Sequence, residues 1–194
     1  VIKNVTQLFS FQGATNASKY IIRGVIHMEK EEYLEMVRSV AEEYFRSGTY
    51  YCSEAVVETL NDVLGKPYED DVVRLASGFP IGMGKAQCLC GAVSGGQIAL
   101  GMVYGRKRGE PMDPEMFEIS KGLHDYIKEE YRSCCCRVIT REWRGDDFQS
   151  EGRRQHCIKI TGNVAVWVVN ELIERGKIDP ETAPKIEPNV MSES

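Results

Sequence analysis

Residues 29–48 read EKEEYLEMVRSVAEEYFRSG, and this stretch indicates the fold class most directly. Its apolar side chains recur every three or four residues, glutamates stand between them, and Gly48 ends the pattern. Such a period is typical of an amphipathic helix that places one face on a hydrophobic core. The residues that carry the period are Tyr33, Met36, Val37, Val40, Tyr44 and Phe45.

Similar patterns predict helices along most of the remaining chain. Ser53, a residue type that favours helix N-termini, begins a second helix that Gly65 ends. Asp113 and Pro114 form a cap followed by proline at the first helical position, and they open a helix through Tyr131. Further patterns cover residues 70–77, 92–104 and 161–175. We therefore expect an all-α fold, a compact bundle of about six helices.

The chain divides into one predicted domain with two flanking segments. Its 194 residues are enough for a single domain with a hydrophobic core. Residues 28–176 form the predicted helical, cysteine-rich domain. Residues 1–27 lack a clear period, and we expect an N-terminal extension that packs on the core. Residues 177–194 contain three prolines and predict a loose C-terminal tail.

Charge and hydropathy argue against two classes of partner. The net charge is −5 and no basic stripe is present, so we expect no nucleic-acid partner. The longest apolar run, residues 164–169, has six residues, whereas a membrane span needs about 18. We therefore expect no membrane span.

The seven cysteines are the unusual feature of the composition. An odd number in a chain of this length fits a closed disulfide framework poorly and favours a reducing compartment in which thiols serve metal or redox chemistry. We expect a cytoplasmic protein, although a targeting sequence could lie upstream of the numbered chain. No Cys-x-x-Cys is present, so zinc ribbons, ferredoxin loops, thioredoxin-type dithiols and c-type haem attachment are unsupported. The cysteines are Cys52, Cys88, Cys90, Cys134, Cys135, Cys136 and Cys157.

Residues 78–91 form a glycine-rich stretch, GFPIGMGKAQCLCG, that lacks the spacing of a phosphate-binding loop. Each glycine in the helical pattern that follows destabilises the helix by about 1 kcal/mol relative to alanine, so we expect these glycines to serve a structural or functional purpose. We expect Gly91 and Gly95 to bring the backbone close to a crossing helix or to a bulky centre held by Cys90. We therefore expect the glycine-rich loop to lie at the metal or redox site.

Three cysteines stand at or near predicted helix starts. Cys52 precedes the Ser53 helix, Cys90 precedes the small-residue helix, and Cys157 precedes the last one. Free N–H groups at a helix start stabilise a thiolate or the sulfides of a cluster.

The three side chains of the triplet Cys134-Cys135-Cys136 cannot all face one metal ion from a regular helix, because successive residues of a helix point about 100° apart. At most one or two of its thiols would therefore serve one centre.

The order and spacing of these pieces resemble a family of redox-active proteins named for the cysteine pattern C_GCAxxG_C_C. The resemblance covers about residues 30–176. Its core is also similar to the iron–sulfur portion of split-Soret cytochromes, but the chain has no Cys-x-x-Cys-His, so the haem part does not carry over. The segments that carry the family resemblance are Gly48–Ala55, Gly78–Gly84, Cys90–Gly95, Leu100–Gly105, Cys136-Arg137 and the isolated Cys157.

This resemblance implies a redox or electron-transfer protein with an iron–sulfur cluster, 2Fe-2S or 4Fe-4S. The four implied metal ligands are Cys52, Cys90, Cys136 and Cys157. Cys88, Cys134 and Cys135 are extra to the family pattern and remain possible additional ligands. The redox partner protein is unknown, and a homodimer is possible.

The sequence leaves two alternative functions open. It also does not decide whether the centre is catalytic or only transfers electrons. One is a metal-free thiol–disulfide redox protein, in which close cysteines such as Cys134 and Cys136 cycle. The other is a zinc-stabilised helical interaction module without turnover.

Overall fold

The computed structural model describes residues 28–145 and 149–190, and these residues contain helices and no strand. Five helices are long: α1 (Lys30–Arg46), α2 (Cys52–Val63), α4 (Gly91–Tyr104), α5 (Pro114–Tyr131) and α7 (Glu151–Glu174). Three shorter elements connect them: a 3₁₀ helix (Asp70–Ala76), α3 (Pro80–Met83) and α6 (Cys136–Ile139). The predicted all-α fold is confirmed. None of the described helices is long and apolar enough to cross a membrane.

The core lies where α2 and α4 pack on each other and where α7 packs on α1 and α2. On α1, the period seen in the sequence buries Tyr33, Val37, Val40 and Tyr44 completely or nearly so. Met36 and Phe45 are only partly buried and pack at the edge of this core. Helix α5 closes the bundle beside α4 and α7, and the side chain of its N-cap Asp113 accepts a hydrogen bond from Glu115 N at 2.9 Å.

Small residues let α4 pass close to its neighbours. A Cβ added at Gly96 would lie 2.7 Å from the Leu123 side chain and 2.8 Å from Val164, so α5 and α7 approach the backbone there. A Cβ at Gly95 would collide with the carbonyl oxygen of Ser53 and lie 3.0 Å from its Cα, so α2 crosses α4 at this point. This contact brings the starts of α2 and α4 together.

We expect Gly95→Ala to lower the free energy of unfolding by about 1–3 kcal/mol, because the added methyl must displace the backbone of α2. Urea denaturation measures the change. Gly101→Ala is the matched control, since Gly101 lies on the same helix and a Cβ there meets nothing within 4 Å. A Gly95→Ala variant as stable as Gly101→Ala would contradict the close crossing.

Two helix starts differ from the sequence-based expectation. Helix α2 begins at Cys52 with Tyr51 as its N-cap, and the side chain of Glu54 accepts a hydrogen bond from Tyr51 N at 2.9 Å. Ser53 is not the cap: it is buried, and its hydroxyl donates to the carbonyl oxygen of Ala76 at 2.9 Å. This bond ties α2 to the end of the 3₁₀ helix.

Helix α7 begins at Glu151, ten residues before the predicted start at residue 161. Ser150 is its N-cap and accepts a hydrogen bond from Arg153 N at 3.4 Å. The prediction that Cys157 precedes this helix is therefore wrong, because Cys157 lies in the second turn. The first turns are mostly polar and contain Gly152, so the apolar period becomes visible only farther along the chain.

The tail is not loose over the part that the structure describes, residues 177–190. Ile178 and Ile186 are each 7% exposed and join the core. The backbone N–H of Asn189 donates to the Tyr44 hydroxyl at 3.3 Å, and the Tyr33 hydroxyl donates to the carbonyl oxygen of Pro184 at 3.3 Å. This segment therefore covers α1. The predicted extension, residues 1–27, lies outside the described residues.

Candidate redox site

Four cysteines from four helices line one cavity. Cys52 is the first residue of α2, Cys90 is the N-cap of α4, Cys136 is the first residue of α6, and Cys157 lies in α7. The space between them is about 450 Å³, including the part that is open to solvent. The remaining wall residues are Phe45, Tyr51, Ile81, Gly91, Ala92, Ile139, Thr140, Arg153 and Ile160.

Burial raises the pKa of all four thiols. The pKa of Cys157 rises to about 12, and that of Cys90 lies well above its ordinary value. Repulsion from neighbouring thiolates adds to the effect, because Cys90 interacts with the other three cysteines of the cavity. Four such thiols ionise together only when a cationic centre compensates their charge.

Hydrogen-bond donors oppose this rise in pKa at several of the sulfurs. The backbone N–H groups of Ile81 and Ser53 lower the pKa of Cys52, and the N–H of Val93 lowers that of Cys90. The side chains of Arg153 and Thr140 act in the same way on Cys136. Donors aimed at sulfur stabilise thiolates, and they tune clusters bound through them.

The glycine-rich loop runs along one side of the cavity in an unusual backbone conformation. Seven of its residues have positive φ: Ile81, Gly82, Met83, Gly84, Lys85, Gln87 and Leu89. Left-handed conformation in residues other than glycine costs of order 1–3 kcal/mol each, and strain of this kind concentrates at functional sites.

Gly82 holds this loop against the Cys136 segment. A Cβ there would lie 2.6 Å from the carbonyl oxygen of Cys88 and 2.9 Å from the Cβ of Cys136, and the φ of Gly82 is +68°. Two backbone hydrogen bonds complete the contact, from Cys90 N to Cys134 O at 2.7 Å and from Arg137 N to Gln87 O at 2.9 Å. The loop and the triplet are therefore one structural unit.

The three thiols of the triplet have different surroundings. Cys136 is 5% exposed and lines the cavity. The thiol of Cys135 donates to the carbonyl oxygen of Gln87 at 3.4 Å, and that of Cys134 donates to the carbonyl oxygen of His124 at 3.5 Å. The triplet does not lie in one regular helix, as the sequence argument assumed, since Cys135 is the extended N-cap residue of α6. Cys134 and Cys135 do not line the cavity, and neither does the exposed Cys88.

The two glycines proposed beside the cofactor have separate positions. Gly91 lines the cavity, and a Cβ there would collide with the Cys52 sulfur and lie 3.1 Å from the carbonyl oxygen of Phe79. Gly95 does not line the cavity and instead packs on the backbone of Ser53. Of the two, only Gly91 brings the backbone close to one of the cavity thiols.

Arg153 and Gly82 are site residues that the sequence analysis did not find. Arg153 precedes Cys157 by four residues, so both side chains lie on one face of α7. This relation becomes visible in the sequence only if Ser150 is taken as the helix N-cap. Gly82 could be seen as one of several glycines, but its contact with Cys136 depends on the tertiary structure.

Fold and cavity together define a cysteine-rich all-α protein with four thiols around one pocket. The sequence model of a family described as "Putative redox-active protein (C_GCAxxG_C_C)" matches residues 50–171. The match spans more than half of the chain, and the chain belongs to this family. The predicted membership is thus confirmed, and the family's description supports a redox role for the protein.

The other comparisons add no relatives: no curated protein and no solved structure matches the chain significantly. Within residues 28–145 and 149–190, no group of three or more His, Cys, Asp or Glu side chains is arranged to hold a metal ion.

Proposed function

We propose that the protein transfers electrons through an iron–sulfur cluster bound by Cys52, Cys90, Cys136 and Cys157. The observation that supports the proposal is that four cysteines from four helices line one largely apolar cavity. Within the described residues, the cavity wall contains no carboxylate and no imidazole. Thiolates are the ligands of iron–sulfur clusters, and a set of four is their usual complement.

The chain's own residues would prepare this cavity for a cluster in three ways. Apolar side chains such as Ile81, Ile139 and Ile160 limit the access of water. The N–H groups of Ile81, Ser53 and Val93 stabilise sulfur ligands. A bound cluster would supply a one-electron couple, taking one electron from a donor and passing it to an acceptor.

The thiol–disulfide alternative fits these observations less well. Attack on a disulfide requires a thiolate, and burial raises the pKa of each of the four cavity thiols. The thiols of Cys134 and Cys136, the pair named for this alternative, have different surroundings. The thiol of Cys134 donates to the carbonyl oxygen of His124, whereas Cys136 lines the cavity.

Anaerobic purification followed by iron, acid-labile sulfide and zinc analysis tests the proposal. We expect brown protein with iron and sulfide in equal amounts, and an electron paramagnetic resonance signal after reduction with dithionite. The signal and the stoichiometry distinguish 2Fe-2S from 4Fe-4S. Colourless protein with stoichiometric zinc would favour the interaction module. Protein without metal, even after reconstitution with ferrous iron and sulfide, would favour the thiol–disulfide alternative.

A further inference from the structure

One charged side chain reaches the cavity wall in the described part of the chain, and it belongs to Arg153. It lies one helical turn before Cys157 on α7, and its side chain lines the same cavity as Cys136 and Cys157. The early start of α7 at Glu151 places Arg153 in the first turn, where its backbone N–H donates to the hydroxyl of the N-cap Ser150. A cation therefore lines the same cavity as the four proposed ligands.

The charge of the proposed centre explains why a cation is useful at this position. Four thiolates carry more negative charge than the core of either cluster type carries positive charge, so the complex is a net anion. Each electron that arrives adds one further negative charge to a largely apolar cavity. A neighbouring cation stabilises this added charge, and in a poorly hydrated site the interaction is screened less than at the surface.

We infer that Arg153 is a positioning residue that stabilises the reduced form of the centre and so raises its reduction potential. This inference rests on the proposed function. Arginine suits the task because its guanidinium stays charged at all physiological pH values and presents several donors in a fixed fork.

Arg154 provides a matched control for this inference. It is the next residue on α7, it is exposed, and it is directed to other partners. Its guanidinium donates to the carbonyl oxygen of Arg46 and lies 3.6 Å from the Glu151 carboxylate. Removing this charge changes the net charge of the protein by the same amount without touching the cavity wall.

The test compares the wild type with Arg153→Met, Arg153→Lys and Arg154→Met, all purified anaerobically. The cluster content is measured first, and the reduction potential is then measured by optical titration. For Arg153→Met we expect at least a tenfold shift of the one-electron equilibrium toward the oxidised form, about 59 mV. We expect Arg154→Met to match the wild type and Arg153→Lys to lie closer to the wild type than Arg153→Met.

The possible outcomes separate this inference from the proposed function. A full cluster with the wild-type potential in Arg153→Met would overturn the inference and leave the proposed function intact. If Arg153→Met does not assemble a cluster, Arg153→Lys decides. An Arg153→Lys variant that holds a cluster with a potential near the wild type supports the role of the charge, and an Arg153→Lys variant without a cluster overturns it. A shift of the potential in Arg154→Met as large as that in an Arg153 variant also overturns it. A wild type without iron overturns the proposed function itself.

Discussion

Cys136→Ser should abolish the iron–sulfur centre, whereas Cys135→Ser should leave it in place. Cys136 lines the cavity with the three other proposed ligands, and a hydroxyl is a far poorer ligand for a soft metal site than a thiolate. The neighbouring thiols of Cys135 and Cys134 bond to the carbonyl oxygens of Gln87 and His124. One atom is exchanged in each variant, so the difference isolates the position of the sulfur.

Iron and acid-labile sulfide per chain in the anaerobically purified variants measure this effect. We expect almost no iron in Cys136→Ser and near wild-type iron in Cys135→Ser, Cys134→Ser and Cys88→Ser. Circular dichroism shows whether each variant keeps its helices. If Cys136→Ser retained a full cluster while Cys134→Ser or Cys135→Ser lost it, the ligand assignment would be wrong even though a redox role could stand.

The parts of this structure that sequence reasoning predicted are those fixed by local chemistry. Tyr33, Val37 and Val40 repeat at helical spacing, so α1 could be placed within two residues of its observed ends. The cap at Asp113 and the proline that follows marked the start of α5 in the same way. Such signals lie within one helical turn and require no knowledge of the rest of the fold.

The parts that were missed depend on contacts between distant segments. Ile81 and Met83 have positive φ, which no local preference of isoleucine or methionine favours, and the loop holds them there through its contact with the Cys136 segment. The start of α7 was missed because its first turns face the cavity and solvent instead of continuing an apolar stripe. Arg153 was missed with it. The choice of Cys136 from the triplet came from the family resemblance, since the spacing alone left all three open.

Gly91→Ala should disrupt the site more than any other single-methyl change on α4. A Cβ at Gly91 would collide with the Cys52 sulfur and lie 3.1 Å from the backbone oxygen of Phe79. Alanine normally stabilises a helix by about 1 kcal/mol relative to glycine, so the expected loss runs against intrinsic propensity. We expect Gly91→Ala to lose most of its iron because Cys52 is displaced from the position from which it binds.

Gly101→Ala provides the control for this change, because it adds the same methyl to the same helix where nothing lies within 4 Å. We expect it to keep its full iron content and to be at least as stable as the wild type in urea. Iron per chain, helix content and the urea midpoint separate a local effect on the site from a general loss of fold. A Gly91→Ala variant with full iron would show that Cys52 is not held against α4 and would contradict this prediction. Loss of iron with the helices retained would instead show that cofactor binding depends on the contact between the first residue of α4 and the first residue of α2.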